Sequence, residues 1–252
     1  VQVGVEVAVG EALAVPGTEL PMPGRSGLPR IHPWSRLGRA VHMSGQQPVR
    51  LAGSALMGDY QQGLELLRRL GGTDNPAVLD LFAAVRATDF GADAVAYVYG
   101  GLYQRPGLTL PQRQLITVSA LAALGYATAQ LRFHLTAALN LGCPASHLRD
   151  SLDLVTGTFG TPPVTADLTP APDEPPLDHQ TRLLTLLAAY TATGGIAPQV
   201  DEQLRELCGI GAERAALETI LHISVYAGFP AALNALTRYQ EIAATNRSRA
   251  GR

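Results

Sequence analysis

The stretch QLRFHLTAALNLG, Gln130 to Gly142, sets a single histidine, His134, into a run of Leu, Ala and Phe. An imidazole in such a place can move protons near neutral pH, hold a metal, or sit in a core with its nitrogens satisfied. A helix starting near Thr128 surrounds His134 with Gln130, Leu131, Ala137, Ala138 and Leu141 at spacings of three, four and seven, so its ring faces an apolar, small-residue surface. Arg132 lies about 160° around the same helix and cannot share a ligand with it. The segment alone leaves two readings open: a core histidine bonded to one backbone carbonyl, or a proton-transfer group at an apolar site. A metal site is not expected, because His32, His42, His147, His179 and His222 are scattered without ligand spacing and no carboxylate lies within a turn of His134. Ser119 and Ser151 lack a nucleophile-elbow context, and GGLYQRPG lacks the preceding strand that a dinucleotide fingerprint needs. No flavin or nicotinamide is therefore expected, and no cofactor.

Composition narrows the chemistry further. All 19 cationic side chains are arginine, which excludes Schiff-base lysine chemistry and any phosphate loop that depends on its lysine. The net charge of −2 is spread along the chain without a basic stripe, so nucleic acid is not an expected partner. Cys143 and Cys208 are too few and too distant for a disulfide framework, which fits a reducing cytoplasm. No run approaches 18 apolar residues, and VQVGVEVAVGEALAVPG has no cationic region before its apolar stretch, so neither a membrane span nor a secretion signal is expected.

The elements that position these residues read as helices. At 252 residues with 46% hydrophobic side chains, the chain can fill a large core. Residues 1–56, dense in Gly and Pro, read as an arm with little structure of its own. DYQQGLELLRRLGG then puts Leu64, Leu67 and Leu70 on one face and stops at Gly71 and Gly72. NPAVLDLFAAV begins with Asn75 as a cap and Pro76 at the first helical position. Further helical segments close at Gly107, Gly125 and Gly142, and PASHLRDSLDLVTGTFG runs to TPP. A Pro- and Asp-rich linker spans 165–176, and HQTRLLTLLAAYTATGG, PQVDEQLRELCGIG, AERAALETILHISVYAG and PAALNALTRYQEIAA follow it. No segment alternates with period two, so the expected class is all-α. The halves 57–164 and 177–246 read as two copies of one unit, with 247–252 as a tail: Arg113, Leu115 and Gly125 align with Arg182, Leu184 and Gly194, and Gly142 aligns with Gly209 after a two-residue deletion. That alignment sets His134 opposite Asp201, so only the first copy keeps the histidine.

Taken together, YVYGGLYQRPGLTLPQRQLITVSALAALG, LRFHLTAALNLGCPASHLRDSL and SVYAGFPAALNAL resemble the carboxymuconolactone decarboxylase family, over roughly residues 60–245 and in a fused, two-repeat form. The related alkylhydroperoxidase-D-like peroxidases carry a Cys-x-x-Cys pair where this chain has Ala127 and Gln130, so thiol peroxidase activity is not expected. The resemblance implies an enzyme that works without metal or cofactor, with His134 as proton donor and Arg113 or Arg105 as the cation that orients a carboxylate. It also implies a substrate site that includes Tyr99, Tyr103, Gln114 and Gln130. Two departures stand out: Gly101 replaces the usual acid before the Arg-Pro-Gly turn, and Gln114 replaces a Glu that many members carry. The loss of two carboxylates points to a less polar site and a larger, more neutral ligand. The expectation is a lyase or isomerase that moves protons on a carbonyl-containing small molecule. The alternatives are a cyclase or hydrolase recruited to polyketide-like intermediates of natural-product biosynthesis, and a non-catalytic ligand-binding or assembly protein. The resemblance further implies a homo-oligomer, with a trimer favoured.

Overall fold

The computed structural model describes residues 58–160 and 168–250. The expected arm at 1–56 and the start of the linker at 165–167 lie outside the described residues. Within them the regular elements are helical and no strand occurs, in agreement with the sequence reading: α1 (Tyr60–Gly71), α2 (Ala77–Ala84), α3 (Thr88–Val98), a 3₁₀ turn (Leu102–Gln104), α4 (Leu110–Leu124), α5 (Thr128–Asn140), α6 (Ala145–Phe159), α7 (His179–Ala192), α8 (Pro198–Gly209) and α9 (Glu213–Ala250). α2 starts one residue later than the sequence suggests, because Pro76 takes the cap position and the Asn75 N–H is held by the Thr73 hydroxyl at 3.2 Å. α9 continues through residues expected to be a tail.

α4 is the centre of the molecule. Thr109 and Gln112 form a reciprocal capping box at its start, and Gly125 ends it in the left-handed region at φ 74°. Every residue from Arg113 to Ala123 is buried, so the helix is covered all round. One face, with Ile116 and Ala120, joins Leu184, Leu187, Ile220 and Ile223 from α7 and α9. The other, with Leu115 and Val118, joins Leu131, Leu135, Leu148 and Val155 from α5 and α6. Fully buried leucines and isoleucines of this kind contribute roughly 1.5–3 kcal/mol each. α1 closes over the 3₁₀ turn and α5 through Leu66, Leu70, Tyr103 and Ala137. Its approach to α3 needs Gly63, where a Cβ would stand 2.6 Å from the Val95 carbonyl oxygen.

α9 breaks at Gly228, whose φ of 80° and ψ of 164° belong to glycine alone, and the second arm restarts with Pro230. By length and composition α9 is apolar enough to cross a membrane, yet here it packs against α4, α7 and α8 and supplies their core contacts.

The second half reuses local signals of the first. Thr109 and Asp178 are side-chain caps 69 residues apart at the starts of α4 and α7. Gly142 and Gly211, also 69 apart, both adopt φ 77° after α5 and α8. In GIG it is Gly211 that takes the left-handed turn, since Gly209 is still the last residue of α8. At the same spacing of 69 residues from His134 stands the buried Gln203. Asp201 pairs with Arg238 and Arg205.

Candidate active site

His134 sits on the inward face of α5, 4% exposed, with its ring edge-on to Phe133 and Tyr226 at centroid distances of 5.1 and 5.5 Å. Burial holds its pKa down to about 3, so the ring is neutral at neutral pH. Its Nδ1 lies 2.9 Å from the Gln114 side-chain oxygen, and the Gln114 amide nitrogen donates to the Tyr103 hydroxyl at 3.1 Å. With the amide set this way, Nδ1 carries the proton and Nε2 is the ring nitrogen left for a ligand. The chain of contacts continues from the Tyr103 hydroxyl to the Tyr226 hydroxyl at 3.3 Å, which ties α5 and α4 to α9.

A cavity of about 530 Å³ opens in front of His134, between the end of α1, α2, the end of α3 and the start of α5. His134, Tyr99, Gln130 and Thr73 are the polar side chains on its wall, and Leu67, Leu81 and Phe133 form much of the rest. Burial, followed by the neighbouring Tyr103, pushes the Tyr99 hydroxyl well above its ordinary pKa, so it is a hydrogen-bond donor at neutral pH.

Of the residues singled out from sequence, His134, Tyr99 and Gln130 line this cavity. Gln114 and Tyr103 stand behind His134 as its supports. Arg105 and Arg113 are elsewhere. The Arg105 guanidinium is bidentate on Glu218, with Nε to Oε2 at 2.7 Å and Nη2 to Oε1 at 2.9 Å. Arg113 is fully buried. Its Nη2 donates to the Arg105 carbonyl at 2.6 Å and lies 3.8 Å from Glu218 Oε2, and its Nη1 meets His222 Nδ1 at 3.3 Å. Burial pulls the Arg113 guanidinium below its ordinary pKa and Glu218 pushes it back up. Both arginines are engaged by an internal carboxylate, and neither lines the His134 cavity.

Glu218, His222, Tyr226 and Thr117 complete the network and were not singled out from sequence. Glu218 is fully buried and also pairs with Arg214 at 2.8 Å. The Thr117 hydroxyl donates to the Arg113 carbonyl at 2.8 Å, so the His222 Nε2–H donates to Thr117 at 3.0 Å and Nδ1 accepts from Arg113. Burial, and then the charge of Arg113, hold His222 well below its ordinary pKa. α9 thus brings a carboxylate from the far half of the chain to the arginines, although not to the cavity wall. A signal was present: Arg214, Glu218, His222 and Tyr226 recur every four residues in an otherwise apolar run, which places them on one helix face.

Residues 88–173, from α3 through α6 and into the linker, match the model of the carboxymuconolactone decarboxylase family. The family that the motifs resemble is thus present as a domain in the chain. No curated protein matches the chain.

Proposed function

We propose that this carboxymuconolactone decarboxylase family domain is a cofactor-independent enzyme of lyase or isomerase type, moving a proton on a carbonyl-containing small molecule bound in the His134 cavity. The observation that carries this reading is the placement of a neutral imidazole on a cavity wall, with Nδ1 bonded to Gln114 and Nε2 free for a substrate. Tyr99 and Gln130 on the same wall are neutral donors suited to a carbonyl oxygen. A neutral His134 takes a proton from the carbon next to that carbonyl, and the negative charge that develops on the oxygen raises the basicity of the ring as it does so. Gln114 and Tyr103 keep the ring from rotating away.

One such site per chain is proposed. At the 69-residue spacing Arg182, which lines a second cavity of about 500 Å³, corresponds to Arg113, and the buried Gln203 to His134. These matches, together with the paired caps and glycines, support a duplicated unit. A homo-oligomer, with a trimer favoured, belongs to the same reading, because α2 buries none of its residues and Leu81, Val85 and Phe90 are exposed. The two free, buried cysteines fit a reducing cytoplasm.

Proton exchange tests the reading. A panel of neutral and carboxylated ketones in D₂O, followed by proton NMR, should show loss of signal beside the carbonyl of some member with the wild-type chain. His134→Gln should slow that loss by about 10²–10⁴-fold while keeping its circular dichroism. Undiminished exchange in the folded Gln variant would remove His134 from the chemistry.

A further inference from the structure

We infer that the His134 cavity is built for an uncharged carbonyl compound with a bulky apolar body, and that its reaction is removal and return of a proton without loss of CO₂. The inference rests on the proton-transfer reading above and narrows its substrate.

Charge is the first argument. Among the described residues, no Asp, Glu or Arg lines the cavity. The two arginines closest in the motif are turned away: Arg105 grips Glu218 with two donors, and Arg113 is sealed among Glu218, His222 and the Arg105 carbonyl. His134 is neutral and Tyr99 holds its proton. A carboxylate entering here would leave water without meeting a cation among the described residues, which the physics of burial disfavours.

Shape and polarity give the second argument. The volume of about 530 Å³ is ample for a fused two-ring compound and falls among cavities that enclose small organic ligands. The wall is apolar along Leu67, Leu81 and Phe133; three of its four neutral polar side chains, His134, Gln130 and Tyr99, come from α5 and the residue after α3, and the fourth, Thr73, from the turn after α1. That grouping suits one carbonyl and the C–H beside it, with a ring body lying against α1 and α2.

The chemistry follows from the charge. A substrate without a carboxylate has no CO₂ to release. The C–H bond next to the carbonyl breaks, its electron pair moves to the carbonyl oxygen as an enolate, and the proton forms an N–H bond at His134 Nε2. The proton on Nε2 exchanges with solvent, and a proton then returns from Nε2 either to that carbon, which restores the ketone with solvent hydrogen, or to a carbon conjugated with it, which is an isomerisation. No oxidant, reductant or second reactant is needed.

Calorimetry with the full chain tests the class, using two probes on one ring system: the neutral ketone 1-tetralone and the anion tetralin-1-carboxylate. The ketone should bind at least about tenfold more tightly than the anion. Ala129→Trp, at an exposed position on the cavity wall, should abolish ketone binding, and Leu81→Arg, at the exposed edge, should shrink the preference. Exchange of the protons at C2 of the ketone in D₂O is measured in parallel. Binding of the ketone without exchange supports the substrate class and defeats the proton-transfer reading. Equal or tighter binding of the anion overturns the substrate class whatever the exchange shows, and so does failure of the ketone to bind or its retention by Ala129→Trp.

Discussion

Acidification should destabilise this protein through two buried histidines, and the size of the effect can be worked out. His134 titrates at about 3 in the folded chain, against about 6.5 when unfolded. The folded value is the lower one, so the unfolded chain binds more protons as the pH falls. The stability contribution is complete above about pH 6.5 and is lost progressively toward pH 3. Between pH 7 and 5, protonation of the unfolded imidazole removes about 2 kcal/mol for His134 alone. His222 is shifted in the same direction, by burial and by Arg113, and adds to the loss. Asp178 and Glu174 are held below their ordinary values by hydrogen bonds to Thr181 and Ser146, so their contributions are lost only at lower pH. Denaturant unfolding followed by circular dichroism at pH 7, 6 and 5, at one protein concentration, measures the loss directly. In His134→Gln the difference between pH 7 and 5 should fall by about 2 kcal/mol, whatever the variant's stability at pH 7. An unchanged difference would mean that His134 takes up its proton in the folded state, and the case for a buried neutral ring would fail.

The remaining predictions address its neighbours. Gln114→Glu puts a carboxylate against His134 Nδ1 at 2.9 Å and should raise the histidine pKa, seen as a shifted titration of its ring protons by NMR; an unmoved titration would show that the contact is not made. Glu218→Gln strips the counter-charge from Arg113 and Arg105 and should cost about 3–5 kcal/mol in denaturant unfolding, whereas a cost below about 1 kcal/mol would show the network to be dispensable. Light scattering should give the mass of three chains, and charged residues at Val85 and Phe90 should reduce it. A monomer at micromolar concentration would exclude the trimer.

The helices were legible because their signals are local. Gly125 marks the end of α4, and the leucine spacing of α1 declares its buried face. Even the local code has limits. GIG offers two glycines for one left-handed turn, and only the folded backbone selects Gly211, at the 69-residue spacing that also separates Gln203 from His134. The candidate site was legible where one element carries it, as with His134 and Gln130 on α5, and illegible where two distant segments meet. Arg105 and Arg113 look like free cations in sequence because their partner, Glu218, lies more than a hundred residues further on. Glu218 engages both arginines, neither of them lines the cavity, and His134 on its wall stays neutral. The cavity wall that His134 faces is built from α1 and α2 as well, outside the matched residues 88–173, so the matched segment alone does not enclose it.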